Sequence, residues 1–233
     1  MKYAGRGGHN PLCEGANALV NEVIEDRKIF YASKKYLSIS NPFVDVTPNP
    51  VAGQNNDLSY GIKMANYNKA DIFYSVHLNK AYASFDGEIG CEVWLHDSNS
   101  KLTQQATRIL KNLEALGFKN RGIKYSTHLA ELTQTNMPAM IIECFFIEAT
   151  KDVALYKKLG AEIIGKAIAE GFIGRSISIP TPVAPVVKPI VIAQVKDIVY
   201  RVVTGSYSDR ANADVRIAEL KKAGFESFID IKK

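Results

Sequence analysis

A short apolar run that ends in a histidine and an asparagine is the feature that most constrains the fold. Residues 71–79 read Asp-Ile-Phe-Tyr-Ser-Val-His-Leu-Asn, and their β-branched and aromatic side chains predict a buried strand. Because side chains alternate along a strand, Phe73, Ser75 and His77 are expected on one face of its sheet, opposite the residues between them. A lone histidine here would most often be a core residue bonded to a backbone carbonyl, so a functional role for His77 requires partners elsewhere in the chain.

Strand and helix patterns alternate over the first 175 residues. Further strands are predicted within the first ten residues and near 42–46, 90–95 and 139–147. Helices are predicted at 17–37, 58–69, 101–116 and 152–172, and a turn is predicted at 120–122. This order is typical of an α/β fold, and we predict a mostly parallel, twisted sheet that is flanked by helices on both faces.

The composition favours a globular protein with one main core. The chain has 233 residues, 46% of them hydrophobic and 23% charged, with a net charge of +5. No dense lysine and arginine tract points to nucleic acid, and no run of about 18 apolar residues points to a membrane span. The three cysteines are odd in number and lack metal-binding spacing, so no disulfide framework is predicted.

A proline-rich segment separates two folded regions. Four of the nine prolines lie between residues 180 and 189, which predicts an extended linker at 176–197. We therefore expect a main domain at 1–175 and a small β-α-β unit at 198–233, with its helix at 209–223. A unit of this size is too small to bury a core of its own.

Three polar residues at predicted strand ends suggest a site. Glu143 interrupts the apolar strand at 139–147, and a buried carboxylate is costly without a partner. In an open parallel sheet, sites form at the carboxyl ends of the strands, where His9, His77 and Glu143 are expected to meet. Two histidines and one carboxylate around an open position form a catalytic zinc site, and a glutamate from the helix after His9 would complete such a set.

Six short motifs occur in a fixed order over residues 3–174. They are Gly8-His9, Val20-Asn21-Glu22, Ser75-Val76-His77-Leu78-Asn79, Gly90-Cys91-Glu92-Val93-Trp94, Asn120-Arg121-Gly122 and Ile141-Ile142-Glu143-Cys144-Phe145-Phe146. Each motif is weak alone, but the ordered set is specific. The chain resembles the zinc-dependent N-acetylmuramoyl-L-alanine amidases of the type-3 family, which includes autolysins and phage endolysins.

The resemblance implies a zinc site and a reaction. His9, Glu22 and His77 would bind Zn²⁺, and Glu143 would be the catalytic acid/base. Glu25 lies one helical turn after Glu22 and is the alternative ligand. The enzyme would hydrolyse the amide bond between N-acetylmuramic acid and L-alanine in peptidoglycan. Two alternatives are a non-catalytic wall-binding or regulatory protein with an amidase fold, and a zinc peptidase.

Other residues near these motifs have expected structural roles. Ser75 and Asn79 are expected to support His77, and Glu92 is expected to pair with a basic residue in the sheet. The side chain of Cys144 should point away from the face that carries Glu143, which argues against a cysteine hydrolase. His96 and His128 are expected at the surface, although His128 could line a substrate groove.

The C-terminal residues carry a second resemblance. Residues 200–207, 212–213 and 223–225 resemble half of a sporulation-related repeat, a peptidoglycan-binding domain. The resemblance implies wall binding, pairing of residues 198–233 with a second chain to form a homodimer, or docking on the main domain. The N-terminus lacks the apolar segment of a secretory signal, so we expect synthesis in the cytoplasm and action on the cell wall after release.

Overall fold

The computed structural model of the protein describes residues 1–47, 54–177 and 210–222. The chain divides into two compact units, Met1–Ile179 and Pro180–Lys233. One helix of the second unit is described, Arg210–Lys222, and it coincides with the helix predicted at 209–223. The two strands predicted beside this helix, and most of the predicted linker, lie outside the described residues.

The first unit alternates strands and helices. Its strands are β1 (Tyr3–Gly7), β2 (Phe43–Asp45), β3 (Ile72–Asn79), β4 (Cys91–Leu95), β5 (Asn120–Tyr125) and β6 (Ala139–Phe146). Its helices are α1 (Glu22–Leu37), α2 (Gln54–Tyr67), α3 (Thr103–Ala115), α4 (Ala130–Thr133), α5 (Thr150–Leu159) and α6 (Ala161–Ile173). In the described part of this unit, no helix is both long enough and apolar enough to cross a membrane.

The six strands form one sheet in the order β2-β1-β3-β6-β4-β5. All neighbouring pairs are parallel except β4 and β6, which are antiparallel. The predicted α/β fold with a mostly parallel sheet is therefore confirmed. The central strands β3 and β6 are apolar almost throughout because helices cover both of their faces.

The two faces of the sheet carry different cores, and β3 contributes to both. Tyr74 and Val76 pack in the larger core, which includes residues of α1, α3 and α6. Phe73 packs on the opposite face with Ile141 of β6 and Leu132 of α4. The alternation predicted for β3 is thus confirmed, and it leaves the odd-numbered side chains of this strand on the face covered by α2 and α4.

Helices α1 and α6 approach each other closely above the larger core. Gly165 of α6 makes this approach possible, because a Cβ atom at this position would lie 2.5 Å from Cβ of Ala32. The same atom would lie 2.6 Å from the backbone nitrogen of Ser33. These distances are shorter than van der Waals contact, so the helix pair depends on the missing side chain.

The boundaries of two predicted helices were wrong. The helix predicted at 152–172 is instead two helices, because Gly160 has a φ of 79° and interrupts the helical path between α5 and α6. The helix predicted from residue 17 begins at Glu22, because the side-chain oxygen of Asn21 accepts a hydrogen bond from the N–H of Ile24 at 3.1 Å and caps the helix there.

Three further elements differ from the prediction. Asn120, Arg121 and Gly122 begin strand β5 instead of forming a turn, since this strand lies at the edge of the sheet and pairs with β4 alone. The short helix α4 lies in a polar stretch for which no helix was predicted. Helix α2 begins at Gln54, four residues before the predicted start at residue 58.

Candidate metal centre

His9 lies directly after the first strand, in a backbone conformation that is uncommon for a side chain of its size. Its φ is 53°, and its carbonyl oxygen accepts a hydrogen bond from Nη2 of Arg27 at 2.5 Å. The N–H of Gly8 donates to the carbonyl of Val76 at 2.8 Å, which ties this turn to β3. A Cβ atom on Gly8 would lie 2.3 Å from Cε1 of His77, so the turn also rests against the second histidine.

Glu22 is the first residue of α1, and its carboxylate lies between the two histidines. Its Oε1 is 3.5 Å from Nε2 of His9 and 3.2 Å from Nδ1 of His77. Its Oε2 accepts a hydrogen bond from the N–H of Ala16 at 2.7 Å, which holds the carboxylate in place. One potential ligand atom from each of the three residues lies within 4.8 Å of the others.

Glu25 points elsewhere. Its carboxylate accepts hydrogen bonds from the hydroxyl of Tyr156 and from Nζ of Lys28, the latter at 2.9 Å. Of the two glutamates left open by the sequence, the fold therefore brings Glu22 to the histidines.

The three convergent groups suit a zinc ion. Imidazole nitrogens and a carboxylate oxygen are the ligands found in catalytic zinc sites, where three protein ligands leave a fourth position open. Glu22 is almost fully buried, whereas His9 and His77 remain partly exposed, so the set is closed on the protein side and open toward solvent. The donor set therefore fits the metal that the sequence predicts.

The groups of the site also perturb one another's pKa values. Burial tends to raise the pKa of Glu22, but the hydrogen bond with His77 and the nearby imidazoles lower it overall. Burial tends to lower the pKa of His77, but the hydrogen bond with Glu22 and the carboxylates of Glu143 and Glu131 raise it to about 10. Burial and the neighbouring His77 lower the pKa of His9.

Glu143 lies beside this set on strand β6, where it pairs in register with His77. Both residues line a cleft of about 380 Å³, together with His9 and Trp94. Among the described residues, Oε2 of Glu143 has no hydrogen-bond partner. Burial raises the pKa of this carboxyl group to about 7, so Glu143 can both accept and release a proton near neutral pH.

Glu92 faces Glu143 across the antiparallel pair of β4 and β6, and it is fully engaged. Its carboxylate accepts hydrogen bonds from Nε of Arg121 at 2.8 Å, Nδ2 of Asn79 at 3.0 Å and Nε1 of Trp94 at 3.1 Å. The predicted pairing of Glu92 with a basic residue is confirmed. Asn79 was expected to support His77, but its Nδ2 donates to Glu92 instead, and Asn79 itself lines the cleft.

A buried ionic cluster that lines the cleft was not predicted from the sequence. Arg6 of β1 forms ion pairs with Asp57 of α2 and with Glu131 of α4, the latter at 3.4 Å. Ser75 donates to Oε2 of Glu131 at 2.6 Å and so contacts His77 only indirectly. The one available signal was Arg6 itself, because an arginine within a buried strand requires carboxylate partners.

Three other predicted residues lie away from the candidate site. His96 is exposed and its Nδ1 contacts Oδ2 of Asp97 at 2.8 Å, and His128 is exposed after β5. Cys144 packs in the larger core, on the sheet face opposite Glu143, as predicted.

Comparison with known proteins gives the family of the first unit. The sequence profile described as N-acetylmuramoyl-L-alanine amidase matches residues 3–173. The chain belongs to this family. His9, Glu22, His77 and Glu143 all lie within the matched range.

A second profile, that of the SPOR domain, matches residues 183–230. The resemblance of the C-terminal region to a sporulation-related repeat is thus confirmed. The match begins within the segment predicted as a linker, and the boundary between linker and repeat remains a prediction.

Individual relatives of this amidase family member include proteins of clostridia and of a phage. The uncharacterized protein CPE1502 of Clostridium perfringens strain 13 is 41% identical over 179 residues, which are 76% of this chain and 53% of that protein. The endolysin of Bacillus phage SPP1 is 31% identical over 166 residues, which are 66% of this chain and 57% of the endolysin. The chain thus spans about half the length of the curated relatives that it matches.

Solved structures agree with this family. The catalytic domain of the CD27L endolysin, which targets Clostridia difficile, superposes with a TM-score of 0.68 at 30% identity. The superposition covers 76% of this chain and 99% of that domain.

Proposed function

We propose that this chain is a peptidoglycan hydrolase that cleaves the amide bond between N-acetylmuramic acid and L-alanine of the stem peptide. His9, Glu22 and His77 would hold Zn²⁺, and Glu143 would act as general acid/base. The observation that carries the proposal is the position of the Glu22 carboxylate between the two imidazoles, beside a Glu143 carboxyl group whose Oε2 has no hydrogen-bond partner among the described residues. Membership of the amidase family supports the choice of bond.

Each group has a defined task in this reaction. A zinc ion held here would lower the pKa of a water molecule to about 7 and polarise the scissile carbonyl. Glu143 would accept the proton of the attacking water and then donate it to the leaving amine. A carboxyl group with a pKa of about 7 is suited to both transfers, because neither protonation state is strongly favoured at neutral pH.

The activity test compares Glu143→Gln with the wild-type protein on purified peptidoglycan. We expect unchanged zinc content and a loss of activity of about 10²- to 10⁴-fold, the range typical of a general acid/base. Glu114→Gln, an exposed residue of α3, is the matched control and should keep full activity. An active Glu143→Gln variant would refute the proposed role.

Product analysis and metal removal separate this function from its alternatives. The amidase must release stem peptides with a free L-alanine amino terminus and leave the glycan strands intact, whereas a zinc peptidase would cut within the stem peptide. The zinc mechanism would be contradicted if the protein still cleared a cell-wall suspension after a chelator had removed all of its metal. A protein that binds walls but never clears them would favour the non-catalytic alternative.

The C-terminal unit has a proposed role in targeting. We infer that residues 198–233 bind peptidoglycan and pair with the same residues of a second chain. The SPOR profile that covers this region supports the inference. The single β-α-β unit that the sequence predicts would also have too little core for independent stability, and pairing would supply the missing half.

A further inference from the structure

A buried arginine with two carboxylates lines the same cleft as His9 and His77. The side chain of Arg6 is 1% exposed, and those of Asp57 and Glu131 are 3% and 2% exposed. Three buried charges are costly to maintain, and their mutual pairing offsets only part of that cost. Such a cluster near a reaction site suggests a task beyond stability.

Glu131 is the member of the cluster that faces a metal ligand. Its Oε2 lies 4.0 Å from Nε2 of His77. The other ring nitrogen of His77, Nδ1, is separated from Nε2 by Cε1 and lies 3.2 Å from Oε1 of Glu22. The imidazole therefore has one nitrogen directed toward the candidate metal position and the other toward a buried carboxylate.

The carboxylate of Glu131 is itself held in place. Ser75, two residues before His77 on the same face of β3, donates to its Oε2 at 2.6 Å, and Nη1 of Arg6 lies 3.4 Å from its Oε1. Glu131 belongs to the four-residue helix α4, whose neighbouring Leu132 packs in the core of the same face. The carboxylate thus has a fixed position relative to the ring of His77.

We propose that Glu131 is a positioning residue for His77, anchored by Arg6 and Ser75. The carboxylate of Glu131 attracts the Nε2–H of the ring across 4.0 Å, which favours the tautomer with its lone pair on Nδ1 and directs that lone pair toward Glu22 and His9. A ligating imidazole usually donates its second N–H to an oxygen acceptor in this way, and loss of the acceptor typically lowers metal affinity 10- to 100-fold. This inference rests on the proposed zinc function.

The test measures zinc affinity of the full chain by competition with a chromophoric chelator. Glu131→Ala is expected to weaken zinc binding by about 10- to 100-fold. Glu131→Gln is expected to stay within a few-fold of the wild-type protein, because the amide oxygen can still face the Nε2–H and attract it. The visible absorption spectrum of the Co²⁺-loaded protein should shift in Glu131→Ala, because the ring is free to change its orientation.

Glu148→Gln is the matched control. Glu148 is an equally buried glutamate that accepts hydrogen bonds from the backbone N–H groups of Ala81 and Tyr82 at 2.8 and 3.0 Å. We expect its replacement to leave zinc affinity and the Co²⁺ spectrum unchanged. If Glu131→Ala does not fold, Ser75→Ala replaces it as the decisive variant, with a several-fold loss of affinity expected.

The outcomes separate this inference from the proposed function. The role of Glu131 would be overturned, and the zinc site left intact, if folded Glu131→Ala had wild-type zinc affinity and an unchanged Co²⁺ spectrum. If Glu131→Ala does not fold, the same result in Ser75→Ala would overturn it. A wild-type protein that binds no zinc, or a Glu22→Ala variant that binds it normally, would instead refute the zinc site itself.

Discussion

In the metal-free protein, His77 holds its proton well above the pH at which a free imidazole loses it. The carboxylates around the ring raise its pKa to about 10, whereas burial and the neighbouring His77 lower the pKa of His9. Because an unfolded histidine has a pKa of about 6.5, the charged His77 stabilises the metal-free fold fully below that pH. This contribution is lost as the pH rises through about 10.

The two histidines should therefore be distinguishable at pH 8. We expect ring ¹⁵N chemical shifts of the metal-free protein to show a charged His77 and a neutral His9. Added zinc should remove the proton from His77, because only a neutral ring can act as a ligand. His77→Asn identifies the signal, and two rings that titrate together near pH 6.5 would contradict the expectation.

The sequence predicts the residues of the candidate site better than it predicts the buried residues that hold them in place. His9 and His77 are recognisable because they lie after or near the carboxyl end of a strand, and Glu143 is recognisable because it interrupts an apolar strand. The ionic cluster beside them escaped prediction because Arg6 and Glu131 are 125 positions apart, and nothing in the polar stretch around Glu131 indicates burial. Such contacts depend on how α4 folds back onto the sheet, which local patterns do not contain.

At the scale of the element, the contact between α1 and α6 makes a direct prediction. Gly165→Ala should lower the free energy of unfolding by about 1–3 kcal/mol, because the added methyl group would overlap Ala32 and the backbone at Ser33. The better helix propensity of alanine, about 1 kcal/mol, offsets only part of this overlap. Urea unfolding measures the change, and Lys166→Ala on the same helix should stay within about 0.5 kcal/mol. Equal stability of Gly165→Ala and the wild-type protein would show that the helices can separate freely.

Element predictions succeeded where burial dominates and failed where it does not. Strand β3 contributes apolar side chains to both cores, so its alternation was readable from the sequence alone. Strand β5 is half-polar and sits at a sheet edge, where its Asn-Arg-Gly start is indistinguishable from a turn. The break at Gly160 was missed because the apolar spacing continues on both sides of it, and only the backbone conformation separates α5 from α6.

At the scale of the whole molecule, the C-terminal unit determines the expected assembly. Pairing of residues 198–233 between two chains predicts a particle of about twice the chain mass of 25.7 kDa. Light scattering of the full chain at micromolar concentration measures this mass directly. A particle of single-chain mass would argue against pairing and would favour docking of the unit on its own chain.

The position of β6 has a consequence for how the protein is made. It is the last strand of the sheet to be synthesised, yet it lies between β3 and β4. Until residues 139–146 leave the ribosome, both neighbours present an unpaired edge, which is the kind of surface that promotes aggregation of partly made chains. His9, Glu22 and His77 all precede this step, whereas Glu143 arrives with it. The growing chain therefore carries its proposed metal ligands from an early stage and receives its proposed proton-transfer group only as the sheet closes.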